Sequence, residues 1–498
     1  MTGAPVQSFG HRVEYRGSGV TDGVFAEWCW DGQRLTVKND RYGFYPLFYY
    51  QCPGEICVSP SITALVEQGA TTELDAASLS VFFRLGFFLG EDTPFLRIRA
   101  LPPDARLEWA NGELTIAAAS RIAPVPLALS RDAAIDGYVE LFRQAIRRRP
   151  PGGEFAIPLS GGRDSRHIAF ELHAQGQRPA FCVTTRRFPP YNDQDVRVAT
   201  LVAGRLGVKH VVVDQPASRL HLEEEKNRRT HFCSDEHAWY LTVSDYLRNR
   251  VDTLYDGIAG DVLSAGLFLT PELVRLFGEG RGNEIANGLI GSRVANSEDT
   301  LYKLLEPRLF RAAGKDIAIE RLAREVERHL DAPNPTASFF FWNRTRREVA
   351  LAPYAIFSHV QTMYAPFVDR DVFEFLTALP SGFFLDHTFH DEAIRRGYPE
   401  FADIPYEDKN VPGPGDRSHM TRFGRELAWQ MLGKRRPRLM RTAFLLPRLT
   451  LCLLSERHPP WYLILATYLN QLEVMVRSTK SDDSPDWTKP LRARFGNA

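Results

Sequence analysis

At 498 residues the chain is too long for one ordinary domain of roughly 100–200 residues. Hydrophobic residues make up 44% of it, enough for packed cores, and 61 Lys+Arg balance 61 Asp+Glu. That balance argues against bulk nucleic-acid binding, which a basic surplus would mark. No apolar run reaches the roughly 20 residues that span a bilayer. The nearest, residues 461–476, is interrupted by Asn470, Gln471 and Glu473 and predicts a buried helix, so no membrane partner is expected. Residues 1–10 lack the apolar core of a signal peptide. Six scattered cysteines without metal-finger spacing read as reduced, buried thiols in a cytoplasmic protein.

The first 116 residues read as β-rich. Residues 23–30, 34–38 and 47–52 alternate aromatic or β-branched residues with polar ones, and Asp31-Gly32, Asn39-Asp40 and Pro53-Gly54 punctuate them. Residues 76–85 predict a short helix, and 105–116 a hairpin turning at Asn111-Gly112. The proline-interrupted stretch 121–126 reads as a linker, which divides the chain into domains 1–125 and 126–498. Ser130 is a helix cap, followed by Ile135, Tyr138, Leu141, Phe142, Ala145 and Ile146 at helical spacing. Strands at 155–159, 180–185, 210–213 and 252–255 then alternate with helices at 165–174 and 193–206, and Gly207 closes the second helix. That alternation predicts an α/β fold with a doubly wound parallel sheet. Beyond residue 263 the pattern is mostly helical.

Leu159-Ser160-Gly161-Gly162-Arg163-Asp164-Ser165 carry the most chemical information. They follow an apolar strand and open a helix. Gly161 and Gly162 let the backbone approach phosphate oxygens, and Ser160 and Ser165 supply hydroxyls. The helix start directs free N–H groups at an anion. Asp164 is placed to hold Mg²⁺ against pyrophosphate. The Gly-Lys-Ser/Thr ending of the Walker loop is missing.

This loop resembles the S-G-G-x-D-S pyrophosphate loop of the N-type ATP pyrophosphatases. Tyr191-Asn192-Asp193-Gln194-Asp195, Leu206-Gly207-Val208-Lys209-His210, Ala365-Pro366-Phe367-Val368-Asp369 and Leu379-Pro380 resemble segments of asparagine synthetases in the same order. Asp40 to Tyr49 and Leu101-Pro102-Pro103 resemble the glutaminase domain of those enzymes. The chain is thus similar to the asparagine synthetase-like family, whose architecture β-lactam synthetases and lasso-peptide cyclases share. The resemblance implies an adenine-nucleotide α-hydrolase-like domain with a helical extension, preceded by a truncated Ntn-type glutaminase-like domain. It implies ATP and Mg²⁺ as cofactors and an AMP-forming ligase that makes an amide from a small-molecule or peptide carboxylate.

Three departures qualify it. The family's glutaminase nucleophile is an N-terminal cysteine, whereas residue two is Thr2 and the first cysteine is Cys29, so no glutamine hydrolysis is expected. A separate ammonia or amine source then remains open, as does a homodimer. The family loop S-G-E-G-S/A-D reads here Asp256-Gly257-Ile258-Ala259-Gly260-Asp261. Asp261 falls on the second metal-binding aspartate and Gly257 on a nucleotide contact. Ile258 replaces the family's glutamate, which puts aspartate as substrate in doubt, with Asp256 a candidate catalytic replacement. Lys409 sits where the family carries a lysine that stabilises developing charge. Arg346-Arg347 read either as neighbours of the phosphates or substrate carboxylate or as a solvated face. Asp235-Glu236-His237 lacks the spacing of a zinc site. Residues 434–448 are basic with interleaved apolar residues, and Pro437 and Pro447 are expected to break any helix there. Besides a general amide ligase, a macrolactam-forming cyclase and a non-catalytic nucleotide-binding protein stay open.

Overall fold

The computed structural model describes residues 3–15, 21–119, 124–189, 191–292, 295–408, 410–414, 418–432, 437–454 and 462–478. Its N-terminal part is β-rich. Strands β1 (Val6–Glu14), β2 (Thr21–Trp30), β3 (Arg34–Asn39), β4 (Phe48–Cys52), β5 (Glu55–Ser59), β6 (Ile98–Ala100), β7 (Ala105–Ala110) and β8 (Glu113–Ala118) form two antiparallel sheets. Their orders are β1-β2-β3-β7-β8 and β5-β4-β6. An apolar cluster built on Val37, Leu47, Leu101 and Leu107 joins the two. The β7–β8 hairpin turns at Asn111 and Gly112, whose φ of 54° and 83° suit the twist of the paired strands. Asp75 caps the helix Ala76–Leu85 by accepting the Ser78 N–H at 3.0 Å.

The C-terminal part is built on a parallel sheet of β9 (Phe155–Pro158), β10 (Phe181–Arg186), β11 (His210–Asp214), β12 (Thr253–Tyr255) and β13 (Thr362–Tyr364). The order is β11-β10-β9-β12-β13, so the chain winds outward through β10 and β11 and returns to the other side of β9. This is the doubly wound arrangement. The reversal between β9 and β12 opens a crevice at the strands' carboxyl ends, where such sheets bind ligands. β13 is an addition to the sequence reading. It is three residues long and set among helices, and its backbone pairing with β12, Thr253 opposite Thr362, makes it a strand. Ser130 caps Arg131–Arg147 by accepting the Ala133 N–H at 3.2 Å, and Ile135, Tyr138, Phe142, Ala145 and Ile146 are buried as expected.

Pro447 lies inside the helix Thr442–Leu454 and does not end it. The carbonyl whose N–H partner it removes belongs to Ala443, an exposed residue. Pro437 is described but residues 433–436 lie outside the described residues. All six cysteines are free thiols; Cys182, Cys233 and Cys452 are buried, and Cys29 is exposed on β2. No helix among the described residues is long and apolar enough to cross a membrane.

A buried charge cluster joins the two parts. Arg149, beyond the helix Arg131–Arg147, donates to Asp22 of β2 at 3.0 Å and to Asp369. Arg148 adds a second bond to Asp369 at 2.5 Å. Asp22 and Arg149 are each only 2% exposed as side chains, and Asp369 is fully buried. Removing Arg149 leaves Asp22 a buried carboxylate without its cation, while Arg148 still holds Asp369, at a cost of about 3–5 kcal/mol. Arg149→Met is therefore expected to lower the urea-unfolding free energy at pH 7 by that amount. An unchanged transition would show that the cluster does not stabilise the chain.

Candidate active site

The segment between β9 and the helix Asp164–Ala174 is anchored at its start by β10. The Leu159 N–H donates to the Val183 carbonyl at 2.9 Å, and the Thr184 hydroxyl donates to the Leu159 carbonyl at 2.6 Å. The loop then folds on its own hydroxyls. The Ser160 N–H donates to Ser165 Oγ at 3.0 Å, the two serine hydroxyls lie 3.0 Å apart, and the Gly162 N–H donates to Ser160 Oγ at 3.2 Å. The Gly161 N–H donates to Asp195 Oδ1 at 2.6 Å from the first turn of the helix Gln194–Arg205. Among the described residues no side chain caps Asp164–Ala174, so its positive end faces the crevice.

Residues 404–408 strap across this loop. Arg166 donates to the carbonyls of Ile404 at 3.0 Å and Pro405 at 2.6 Å, with its guanidinium 4.1 Å from the Tyr406 ring centre. The Glu407 N–H donates to the Gly161 carbonyl at 3.1 Å. Arg163 forms a two-point ion pair with Asp391. Lys409, the expected charge-stabilising lysine, lies outside the described residues.

The loop after β12 closes the other wall. A Cβ on Gly257 would come 2.7 Å from Asp164 Cβ, and one on Gly260 would come 2.5 Å from Asp164 Oδ1, so both positions need glycine. Between them Ala259 adopts φ 71°, in the left-handed region. The cost of that geometry for a non-glycine residue is on the order of 1–3 kcal/mol. The two loops bring Asp164, Asp256, Gly257 and Asp261 together. Burial, and then the charge of Asp261, push the Asp164 carboxyl well above the ordinary carboxylate range. Asp256 is buried, accepts the Ile258 N–H at 2.8 Å, and is raised by burial to about 6. Ile258 packs into the main core and offers no polar group in the glutamate's place.

Asp164 and Asp261 fit a divalent cation in one respect. A carboxylate whose proton affinity a neighbouring carboxylate raises, as Asp261 does for Asp164, is relieved by a positive charge beside it. No group of three or more His, Cys, Asp or Glu side chains that could hold a metal exists among the described residues. A pair suits Mg²⁺, which commonly takes one or two carboxylates with the phosphates of its nucleotide.

Beyond the carboxylates lies a charged and aromatic wall that the sequence reading did not assemble. It includes Arg187, whose guanidinium stands 4.4 Å from the Trp239 ring centre and 5.1 Å from that of Tyr191. Arg344 donates to Glu236 at 2.9 Å and stands 3.6 Å from Glu348, within electrostatic reach of Asp261. Burial, then Glu236, push the Glu348 carboxyl well above the ordinary range. His237 is buried, has φ 78°, and is lowered by burial to about 4. The wall's local signals were the Asp235-Glu236-His237 cluster and the i, i+4 spacing of Arg344 and Glu348.

Arg346 and Arg347 are neither phosphate contacts nor a solvated face. Both are buried. Arg346 donates to the carbonyls of Gly90 at 3.3 Å and Leu101 at 3.0 Å, and Arg347 to that of Asp92 at 2.6 Å. They point away from the crevice because residues 341–349 form a wide π-type helix, which redistributes side chains around its axis.

Residues 137–389, just over half of the chain, match the family described as asparagine synthase. The chain belongs to the asparagine synthase family. Residues 14–119 match a glutamine amidotransferase domain, in keeping with the β-rich N-terminal part. The family is one of ATP-dependent, amide-forming ligases, and its glutaminase-like domain implies an amine or ammonia source. A search of curated protein sequences finds no match. Among solved structures, an NMN synthetase from Francisella tularensis is 18% identical over 28% of this chain and 60% of that chain, with a TM-score of 0.20. So low a score carries no structural argument.

Asp256 gives the site a pH signature. Its folded-state value of about 6 exceeds its ordinary 3.8, so the stability it contributes is full below pH 4 and lost as pH rises through 6. Asp256→Asn keeps the acceptor for the Ile258 N–H. In metal-free buffer it is expected to match wild type near pH 4 and to exceed it by roughly 1–3 kcal/mol at pH 7.5. Equal stabilities at both pH values would mean that Asp256 is not destabilised by burial.

Proposed function

We propose that the chain activates a carboxylate with ATP as an acyl-adenylate, releases pyrophosphate, and passes the acyl group to an amine to form an amide. The observation that carries this reading is the Ser160–Ser165 turn, with Asp164 set against Asp261 across the β9–β12 crevice. Ser160, Gly161, Gly162 and Ser165, with Leu159 behind them, would hold the pyrophosphate end of ATP, and Gly257 would border the nucleotide. Asp164 and Asp261 would hold Mg²⁺, which neutralises the leaving pyrophosphate. The substrate carboxylate oxygen bonds to the α-phosphorus as the bond to pyrophosphate breaks. The amine nitrogen then bonds to the acyl carbon, AMP leaves, and the nitrogen gives up a proton. The protein's share is positioning and charge stabilisation, with Lys409 the cation assigned by family resemblance.

Ile258 favours a carboxylate other than aspartate, because a core isoleucine offers neither charge nor hydrogen bond to an amino acid. Ring closure on a peptide or a small acyl substrate is the second reading, and it rests on that residue. Cys29 lies within β2, opposite Val6, and Cys52 and Cys57 lie within the β4–β5 hairpin. That placement supports an amine supplied other than by glutamine hydrolysis in this domain.

The test is pyrophosphate release from Mg·ATP with a panel of carboxylates, aspartate with ammonium among them, wild type beside Asp164→Ala. Release with one substrate class, lost by at least 100-fold in the variant, is the expected outcome. ADP and phosphate as products would overturn the adenylate reading.

A further inference from the structure

Asp164 has one oxygen that the site as described leaves unexplained. The side chain is 25% exposed overall, yet Oδ1 is fully buried and has no hydrogen-bond partner among the described residues. An unpartnered buried carboxylate oxygen is costly. The Asp261 backbone N–H also reaches this carboxylate, and on the side of Oδ1 stands Nδ1 of His390, at 3.4 Å, from a side chain with no exposure at all. His390 comes from the helix Phe389–Gly397, more than 200 residues along the chain, and lies one residue beyond the family match.

The hydrogen bonds around His390 fix which ring nitrogen carries the proton. Ser264 Oγ donates its one hydrogen to the Gly260 carbonyl at 2.7 Å. Its oxygen is therefore an acceptor towards Tyr138, whose hydroxyl lies at 3.2 Å, and towards His390 Nδ1 at 3.0 Å. Nδ1 must then carry a hydrogen, and Nε2 accepts from His167 Nδ1 at 3.0 Å. This leaves His167 Nε2 a bare acceptor, and it is indeed buried without a partner. The opposite ordering would leave a buried N–H there, a rarer and costlier orphan. It would also turn a ring lone pair towards the Asp164 carboxylate, like facing like. Phe142 stacks on His167 with ring centres 3.9 Å apart, which holds the far end of the chain.

We propose that His390 is a positioning residue for Asp164, its Nδ1–H shared between Ser264 and the buried carboxylate oxygen so that the carboxylate keeps one orientation for the cation bound with ATP. This rests on the nucleotide reading of the site and adds a residue to it. The polarity runs one way, from His167 through His390 to Asp164. The glycines at 257 and 260 leave the carboxylate the room it occupies.

The experiment is ATP binding by the full chain, measured calorimetrically with Mg²⁺ and again with a chelator, for wild type, Asp164→Asn, His390→Leu and His390→Asn. Asparagine keeps an N–H where Nδ1 stands; leucine keeps only bulk. The ratio of the two affinities isolates the cation's share from general folding effects, which melting curves record. Wild type is expected to bind Mg·ATP more tightly than free ATP. His390→Leu should lose about 10–100-fold of that ratio, as supporting partners of metal ligands do, with free-ATP affinity unchanged. His390→Asn should recover most of it. If the leucine variant is unfolded at the assay temperature, His390→Gln, whose amide reaches the Nε2 place instead, takes its role. A wild-type ratio in His390→Leu, or an equal loss in His390→Asn, would overturn the inference while Asp164→Asn still upholds the site. Failure of wild type to bind ATP at all would overturn the nucleotide reading and this inference together.

Discussion

A carboxylate that must stay half out of water governs the architecture of the crevice. Asp164 opens the helix after β9, where the positive helix end favours its charge. Burial against the β12 loop opposes that charge, and Asp261 opposes it further. The conflict persists only if neighbours leave room and supply a partner. Room comes from Gly257 and Gly260, where any side chain would collide with the aspartate. The partner on the inner side is His390, bonded to Ser264 and His167, with Tyr138 donating to Ser264. The outer side is left for what binds there. Strand order does the rest, because only adjacency of β9 and β12 sets the two loops face to face.

The N-terminal part braces the wall of that crevice. The wide helix over residues 341–349 serves two surfaces at once. Arg346, Arg347 and Asn343 bond the 90–101 segment of the N-terminal part, whereas Arg344 and Glu348 face the charged wall beside Asp261. The buried Arg149 cluster ties β2 to the turn that follows β13. A glutaminase-like domain with its cysteines set within strands therefore still has a structural task.

Much of the site was legible because its signals are local. The Leu159–Ser165 turn is read from seven consecutive residues, the Asp256–Asp261 loop from six, and the cap at Ser130 from the few residues that follow it. The Asn111-Gly112 hairpin follows from positive φ at both turn positions. Turn chemistry, capping and period all act within a few residues, so they survive in a bare sequence. Pro447 misled because a proline's cost depends on its surroundings, and Ala443, four residues before it, is an exposed residue.

The sequence by itself determined the strand–helix alternation, the loop that suits phosphate and the two acidic loops that follow the strands. Only the tertiary structure decided which of these meet, and what stands behind them. β13 is a strand because β12 offers it a partner. Arg346 and Arg347 are interdomain anchors because the helix is widened beneath them. His390 supports Asp164 from a helix 226 positions away in sequence, through contacts of 3.0–3.4 Å. Hydrogen bonds and ion pairs of that reach carry no periodic or neighbouring signature. They exist only after the sheet order has brought distant segments within a few ångströms of one another.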